Sequence, residues 1–231
     1  MKDSFQRWSE VQNRIASACR AAGRAPGSVQ LLAVGKQHPA EAIRQLHALG
    51  QRAFGENRVD EALSKQAALA DLDIEWHFIG AVQSNKTRDL AGHFDWVQSV
   101  DREKILRRLS EQRPAELGEL NICLQLNIDD EPQKAGLPPA DLEAMAELAE
   151  QLPGLRLRGL MCIPEAGASE AHTRASFARM RGLFTQLRAQ GHPLDTLSMG
   201  MSGDLELAVA EGSTMLRVGT DLFGPRPGGQ N

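Results

Sequence analysis

Tyrosine is missing altogether from this sequence of 231 residues, so any chemistry that relies on a phenolic acid or base must find another group. Cysteine is nearly as scarce. Cys19, Cys123 and Cys162 are an odd number, lack CxxC spacing and sit among apolar neighbours, which favours reduced core thiols over disulfides or a zinc site. Basic residues show no excess: the formal net charge is −4, and no patch for a phosphate backbone stands out, so nucleic acid is not expected as a partner. No apolar run approaches the ~20 residues that cross a bilayer, which excludes a membrane-spanning helix. Met1-Lys2-Asp3-Ser4 opens the sequence with no apolar core after it, so no secretory leader is read and the expected compartment is the cytoplasm.

What is present is a regular alternation. Phe5, Trp8, Val11, Ile15 and Cys19 recur at helical spacing and mark residues 3–22 as an amphipathic helix ended by Gly23. Apolar runs then read as strands near 31–34, 52–55, 75–80, 94–100, 120–128, 155–163, 196–199 and 214–218. Every gap between them holds a helical pattern, with Asp101 as the N-cap of the segment 102–112. Eight strands strictly alternating with helices imply parallel pairing, and the length suits a closed (β/α)8 barrel of TIM type. The leading helix covers the side that a terminal helix would otherwise cover. A doubly wound open sheet is the alternative if the weakest strands, 52–55 and 196–199, do not form. No linker or repeat divides the chain, so residues 1–231 read as one domain, with the Gly- and Pro-rich segment 225–231 as a flexible tail.

Chemistry concentrates at the carboxyl ends of these strands. Lys36 follows the buried run Leu31–Val34, and barrel closure would set the first strand beside the last, which carries Arg217. Pairing with Asp221 or another loop carboxylate is the structural explanation for that arginine, and solvation is the one for the lysine. The loop Gly200-Met201-Ser202-Gly203 and the turn Gly219-Thr220 supply flexible backbone and hydroxyl donors where barrel proteins bind phosphate; an N-cap and a plain turn are the simpler readings of each. A neutral amine attacks carbonyls, and partial burial beside an arginine lowers a lysine pKa. The set therefore outlines a site for a phosphorylated carbonyl compound, either a sugar phosphate, as in a lysine-dependent aldolase, or pyridoxal phosphate.

Six motifs in order make the second choice specific. Leu-Leu-Ala-Val-Gly-Lys at 31–36, Phe-Gly-Glu-Asn at 54–57, Trp-His-Phe-Ile-Gly at 76–80, Gln-Ser-Asn-Lys at 83–86, Leu-Ser-Met-Gly-Met-Ser at 197–202, and Leu-Arg-Val-Gly-Thr with Phe-Gly over 216–224 closely resemble the pyridoxal phosphate homeostasis protein family. The resemblance implies a single barrel similar to the N-terminal domain of alanine racemase, holding pyridoxal 5'-phosphate as an aldimine on Lys36. It further implies that Ser202, Gly219 and Thr220 hold the phosphate, that Arg217 faces the pyridine nitrogen, and that Asn57, His77 and Met199 line the pocket. For His77 the alternative is a core histidine hydrogen-bonded by its neighbours. Gly35 and Gln37-His38 replace the family's more usual small polar residue and Thr-Lys, and the loop 129–134 also departs from its pattern.

The implied function is non-enzymatic: a carrier or buffer in cytoplasmic vitamin B6 homeostasis, serving apo-enzymes transiently and acting as a monomer by default. A racemase-like amino-acid enzyme is the competing reading. Racemisation needs acid–base groups on both faces of the substrate, and the racemase resembled draws a tyrosine from a second domain of its partner subunit. This sequence offers neither, unless a residue such as His77 serves instead.

Overall fold

The strands are buried almost throughout their length, as a barrel demands, with one face of each turned to the helices and the other to the interior. The computed structural model describes residues 3–225. The strands are β1 (Gln30–Val34), β2 (Ala53–Glu56), β3 (Glu75–Phe78), β4 (Trp96–Val100), β5 (Leu120–Leu126), β6 (Leu155–Cys162), β7 (Thr196–Ser198) and β8 (Met215–Val218). They pair in parallel in chain order and close into a barrel, β1 joining β8 through Leu31↔Leu216 and Leu32↔Arg217. The open-sheet alternative fails on the two strands in question: β2 pairs with both β1 and β3, and β7 with both β6 and β8.

The helices are α1 (Ser4–Ala21), α2 (Ala40–Ala48), α3 (Val59–Ala68), α4 (Thr87–His93), α5 (Glu103–Gln112), α6 (Leu142–Gln151), α7 (Glu170–Ala189), α8 (Leu205–Ala210) and α9 (Thr220–Phe223). Asp3 opens α1 with a capping box, its carboxylate accepting from the Gln6 N–H while the Gln6 side chain accepts from the Asp3 N–H. Packed against α8, α9 and α2, α1 closes the ring of helices as expected. Two details differ from the sequence reading. Arg102, not Asp101, is the N-cap of α5 and makes no side-chain cap bond, while the Asp101 carboxylate accepts from the Arg102 guanidinium at 2.6 Å. The turn at Gly219-Thr220 is the start of α9, a single turn of helix too short to show periodicity. Residues 226–231, most of the expected tail, lie outside the described residues.

The main core lies between barrel and helices, where Phe54, Phe94 and Phe177 are fully buried. Inside the barrel the packing is divided: Leu32, Ala53 and Met215 form one apolar group, and Trp96, Cys123 and Met161 another. All three cysteines are free and buried, and burial pushes the Cys123 and Cys162 thiols up to about 12, so neither is a reactive thiolate. Gly200, just beyond β7, has φ 98°, and a Cβ there would overlap the side chains of Ala208 and Leu216. Gly200→Ala is expected to cost about 3 kcal/mol through backbone strain and overpacking, read as a lowered midpoint of urea unfolding.

Candidate functional site

A cavity of about 390 Å³ opens at the carboxyl ends of the strands and is lined by Lys36, Asn57, Ser202, Arg217, Gly219 and Thr220. Residues from β1, β2, β7 and β8 or the segments just after them thus converge on one volume. A wider groove of about 720 Å³ lies between α1 and α8, walled by Ala18, Ala21, Ala22 and Ala210 and holding no lysine.

Lys36 is set by its two flanking peptides. The Gly35 carbonyl accepts from the buried Lys65 ammonium at 2.8 Å, and the Gln37 N–H donates to Glu61 at 2.7 Å. Lys65 ties these anchors together by also donating to Glu56 and Glu61, each at 2.7 Å. Gln37 adopts φ 64°, a left-handed conformation that a non-glycine residue takes only when its surroundings hold it there. Gly35 has a local reason as well: a Cβ there would stand 2.8 Å from Glu56 Oε1 and 3.2 Å from Ile43.

Burial pushes the Glu56 carboxyl up to about 7 despite its contact with Lys65, while Lys65 and the Gln37 N–H hold Glu61 below the usual carboxylate range. For Glu56 the folded state binds the proton more tightly than the unfolded state does, so its contribution is complete below the unfolded value of 4.5 and is lost as pH rises through about 7. Glu61 acts in the opposite sense and only at lower pH. Stability should therefore decline from pH 5 to pH 7 by an amount on the order of 2 kcal/mol, and Glu56→Gln should flatten that decline in thermal unfolding followed across this range.

The anion-binding end is braced from behind. Arg14 on α1 donates to the Ser202 carbonyl at 2.9 Å, to Asp221 at 2.6 Å and to Glu206 at 2.8 Å. One guanidinium thereby joins the loop after β7, the start of α9 and α8. The hydrogen bonds of α9 begin with the Leu222 N–H, which meets the Gly219 carbonyl at 2.9 Å, so the Thr220 and Asp221 N–H groups lie ahead of them, and Ser202 and Thr220 line the same end of the cavity.

Arg217 is 4% exposed. It does not pair with Asp221, which is engaged by Arg14. Instead its Nη1 donates to Ser198 Oγ at 2.8 Å and its Nη2 to the Cys162 carbonyl at 2.7 Å. Burial lowers its pKa, but a guanidinium stays protonated in proteins. Asn57 brings a different feature, a buried Oδ1 with no hydrogen-bond partner among the described residues. An acceptor left dry at a cavity wall calls for a donor on whatever fills the cavity.

Six of the eight residues expected at the site are therefore together, and two are not among the lining. His77 is fully buried inside the barrel, stacked 5.0 Å from Trp96 and hydrogen-bonded to Glu75 and Gln98. Burial lowers its pKa and holds it neutral, so it is the core histidine of the alternative reading and offers no acid–base group to the cavity. Met199 is likewise fully buried in the main core. The imidazole that does line the cavity is that of His38, stacked 4.9 Å from Phe223. His38, Arg14 and Lys65 were not singled out from the sequence. The first had only its position two residues after Lys36 as a signal, and the other two are charged positions on helices, away from any strand end.

Residues 9–227 match the family model described as the alanine racemase N-terminal domain. The chain is 59% identical over 218 residues to the pyridoxal phosphate homeostasis protein of Pseudomonas aeruginosa, covering 94% of both. Among solved structures it resembles PipY of Synechococcus elongatus with PLP bound, at 47% identity and TM-score 0.80, covering 91% of this chain and 100% of that one. An alanine racemase of Clostridium difficile shares the fold at 14% identity and TM-score 0.76, and the match spans 56% of its length. No helix of the described residues is long and apolar enough to cross a membrane.

Proposed function

The chain belongs to the alanine racemase N-terminal domain family and, within it, to the pyridoxal phosphate homeostasis proteins, and from that premise we propose that it holds pyridoxal 5'-phosphate on Lys36 without robust catalysis. One observation carries the reading: the barrel brings an amine, a buried guanidinium and a hydroxyl-lined anion end into a single cavity. The donor set fits a phosphorylated pyridine aldehyde. When bound, that cofactor supplies an aldehyde for a lysine amine and a ring that draws electrons from the attached carbon.

Each residue has a derivable part. The Lys65 clamp holds the backbone on both sides of Lys36, so the amine enters the cavity from a fixed root. Arg217, at the cavity wall, faces the ring nitrogen; being permanently cationic, it disfavours protonation there and weakens the ring as an electron sink. Ser202, Thr220 and the first turn of α9 hold the phosphate, and Asn57 Oδ1 accepts from a polar group of the ligand. The sequence contains no tyrosine to face Lys36 across the ring. Service in a cytoplasmic cofactor pool, with transient delivery to apo-enzymes, extends the same reading.

The test is spectroscopic and kinetic. Purified protein incubated with the cofactor should show the visible absorption of a lysine-bound form. Presented with a panel of single-enantiomer amino acids, it should give no racemisation or transamination above the free-cofactor rate. Sustained turnover of any one of them would place the protein among the enzymes, with His38 as the first acid–base group to replace.

A further inference from the structure

A continuous line of buried polar groups crosses the barrel interior, an expensive feature unless every member is satisfied. It starts at Arg217 Nη1, 2.8 Å from Ser198 Oγ. Ser198 Oγ lies 2.6 Å from Gln98 Oε1, Gln98 Nε2 lies 2.8 Å from His77 Nδ1, and His77 Nε2 lies 2.7 Å from Glu75 Oε1. Ser198, Gln98 and His77 are all fully buried. The line joins a cation at the cavity wall to a carboxylate at the start of β3, which the Gln30 side chain also meets at 3.3 Å.

Its polarity is fixed by its ends. A guanidinium only donates, so Ser198 accepts from Arg217 and must send its own proton on to Gln98 Oε1. That orients the Gln98 amide, whose nitrogen then donates to His77 Nδ1 and to the Met215 sulfur at 3.0 Å. His77 therefore accepts at Nδ1 and donates from Nε2 to Glu75, which accepts as a carboxylate. Turning the Gln98 amide over would place two donors on Ser198 and leave its hydroxyl proton without an acceptor. The charged groups around His77 are Glu75 on its own strand, Asp95 beside β4 and Arg158 on β6. Burial outweighs the two carboxylates and keeps the ring neutral, as the line requires.

We propose that His77 is a positioning residue, acting through Gln98 and Ser198 to fix the orientation in which Arg217 faces the cavity. The inference rests on the functional reading above for its consequence, since a misdirected Arg217 would meet the ring nitrogen poorly. His77 touches nothing in the cavity itself.

A double-mutant cycle tests it. His77→Phe keeps an aromatic ring to stack on Trp96 but removes the acceptor, and Ser198→Ala cuts the line next to Arg217. Each is expected to raise the cofactor dissociation constant about five- to tenfold, the size of one lost hydrogen bond, and to shift the visible absorption in the same direction. The double variant should be no worse than the worse single, because both cut one line. His77→Asn, whose amide oxygen takes the place of Nδ1, should stay near wild type, and it stands in with Ser198→Ala if the phenylalanine variant does not fold. Additive losses, or an unchanged affinity and spectrum in His77→Phe, would overturn the proposal. A cofactor-free arm separates it from the functional reading: exchange of the Arg217 guanidinium protons, followed by NMR, should be slow in wild type and His77→Asn and faster in Ser198→Ala and His77→Phe. If wild type takes no cofactor, the functional reading falls and this exchange comparison alone decides the line; equal exchange in all four proteins overturns it.

Discussion

Lys36→Ala is expected to abolish the visible absorption of the cofactor-loaded protein while leaving its far-ultraviolet circular dichroism unchanged. Lys36 lies beyond the last residue of β1 and lines the cavity, so truncating it leaves the packed residues of the strand in place. What disappears is the covalent link. Binding through the phosphate end and Arg217 alone should be weaker by about two orders of magnitude, equivalent to roughly 3 kcal/mol. Equilibrium dialysis of the variant against the free cofactor measures that residue of affinity. A variant that kept the visible band would place the link on another of the six lysines.

The second large effect is on stability. Lys65→Met leaves Glu56 and Glu61 without their shared cation and the Gly35 carbonyl without its donor. Breaking a buried ion pair from one side costs about 3 to 5 kcal/mol, and because the Glu56 carboxyl already sits at about 7 it can take a proton and soften the loss toward the lower figure. A drop in melting temperature of roughly 6 to 12 °C follows for a protein of this size. Adding Glu56→Gln to Lys65→Met should recover part of it, since the substitution removes the charge that Lys65 had balanced. The same variant should loosen the cofactor more than its stability loss alone accounts for, because the backbone on both sides of Lys36 loses its anchor.

The barrel was legible because its signals are local and repeated. The run Leu31–Val34 is apolar on both faces, as a parallel strand covered by helices must be, Leu120–Leu126 is apolar at every second position, and the leading helix shows its stripe in Val11, Ile15 and Cys19. Even β7, three residues long, was visible between Asp195 and Gly200. The one-turn helix α9 was not, since four residues carry no period.

The site was legible where chemistry sits next to a strand end: Lys36, Asn57, Ser202, Arg217, Gly219 and Thr220 all meet in one cavity. The residues that hold it were not. Arg14 and Lys65 act across about 190 and 30 positions of sequence, and a charged residue on a helix looks solvated until its partners are placed around it. His77 stands apart from the lining for a different reason. It alternates along β3 with Trp76 and Phe78, which pack in the main core, so its ring faces the barrel interior and meets Gln98 and Glu75. Gln98 and Ser198, polar residues at buried strand positions, were the sequence's trace of the line that reaches Arg217.

The central claim is that Lys36 carries the cofactor, and it can be read from one peptide. Protein loaded with pyridoxal phosphate is reduced with borohydride, digested and mapped by mass spectrometry. The account predicts the pyridoxyl mass on the peptide containing Lys36 and on no other. A stoichiometric label on Lys2, Lys65, Lys86, Lys104 or Lys134, with Lys36 unmodified, would contradict it.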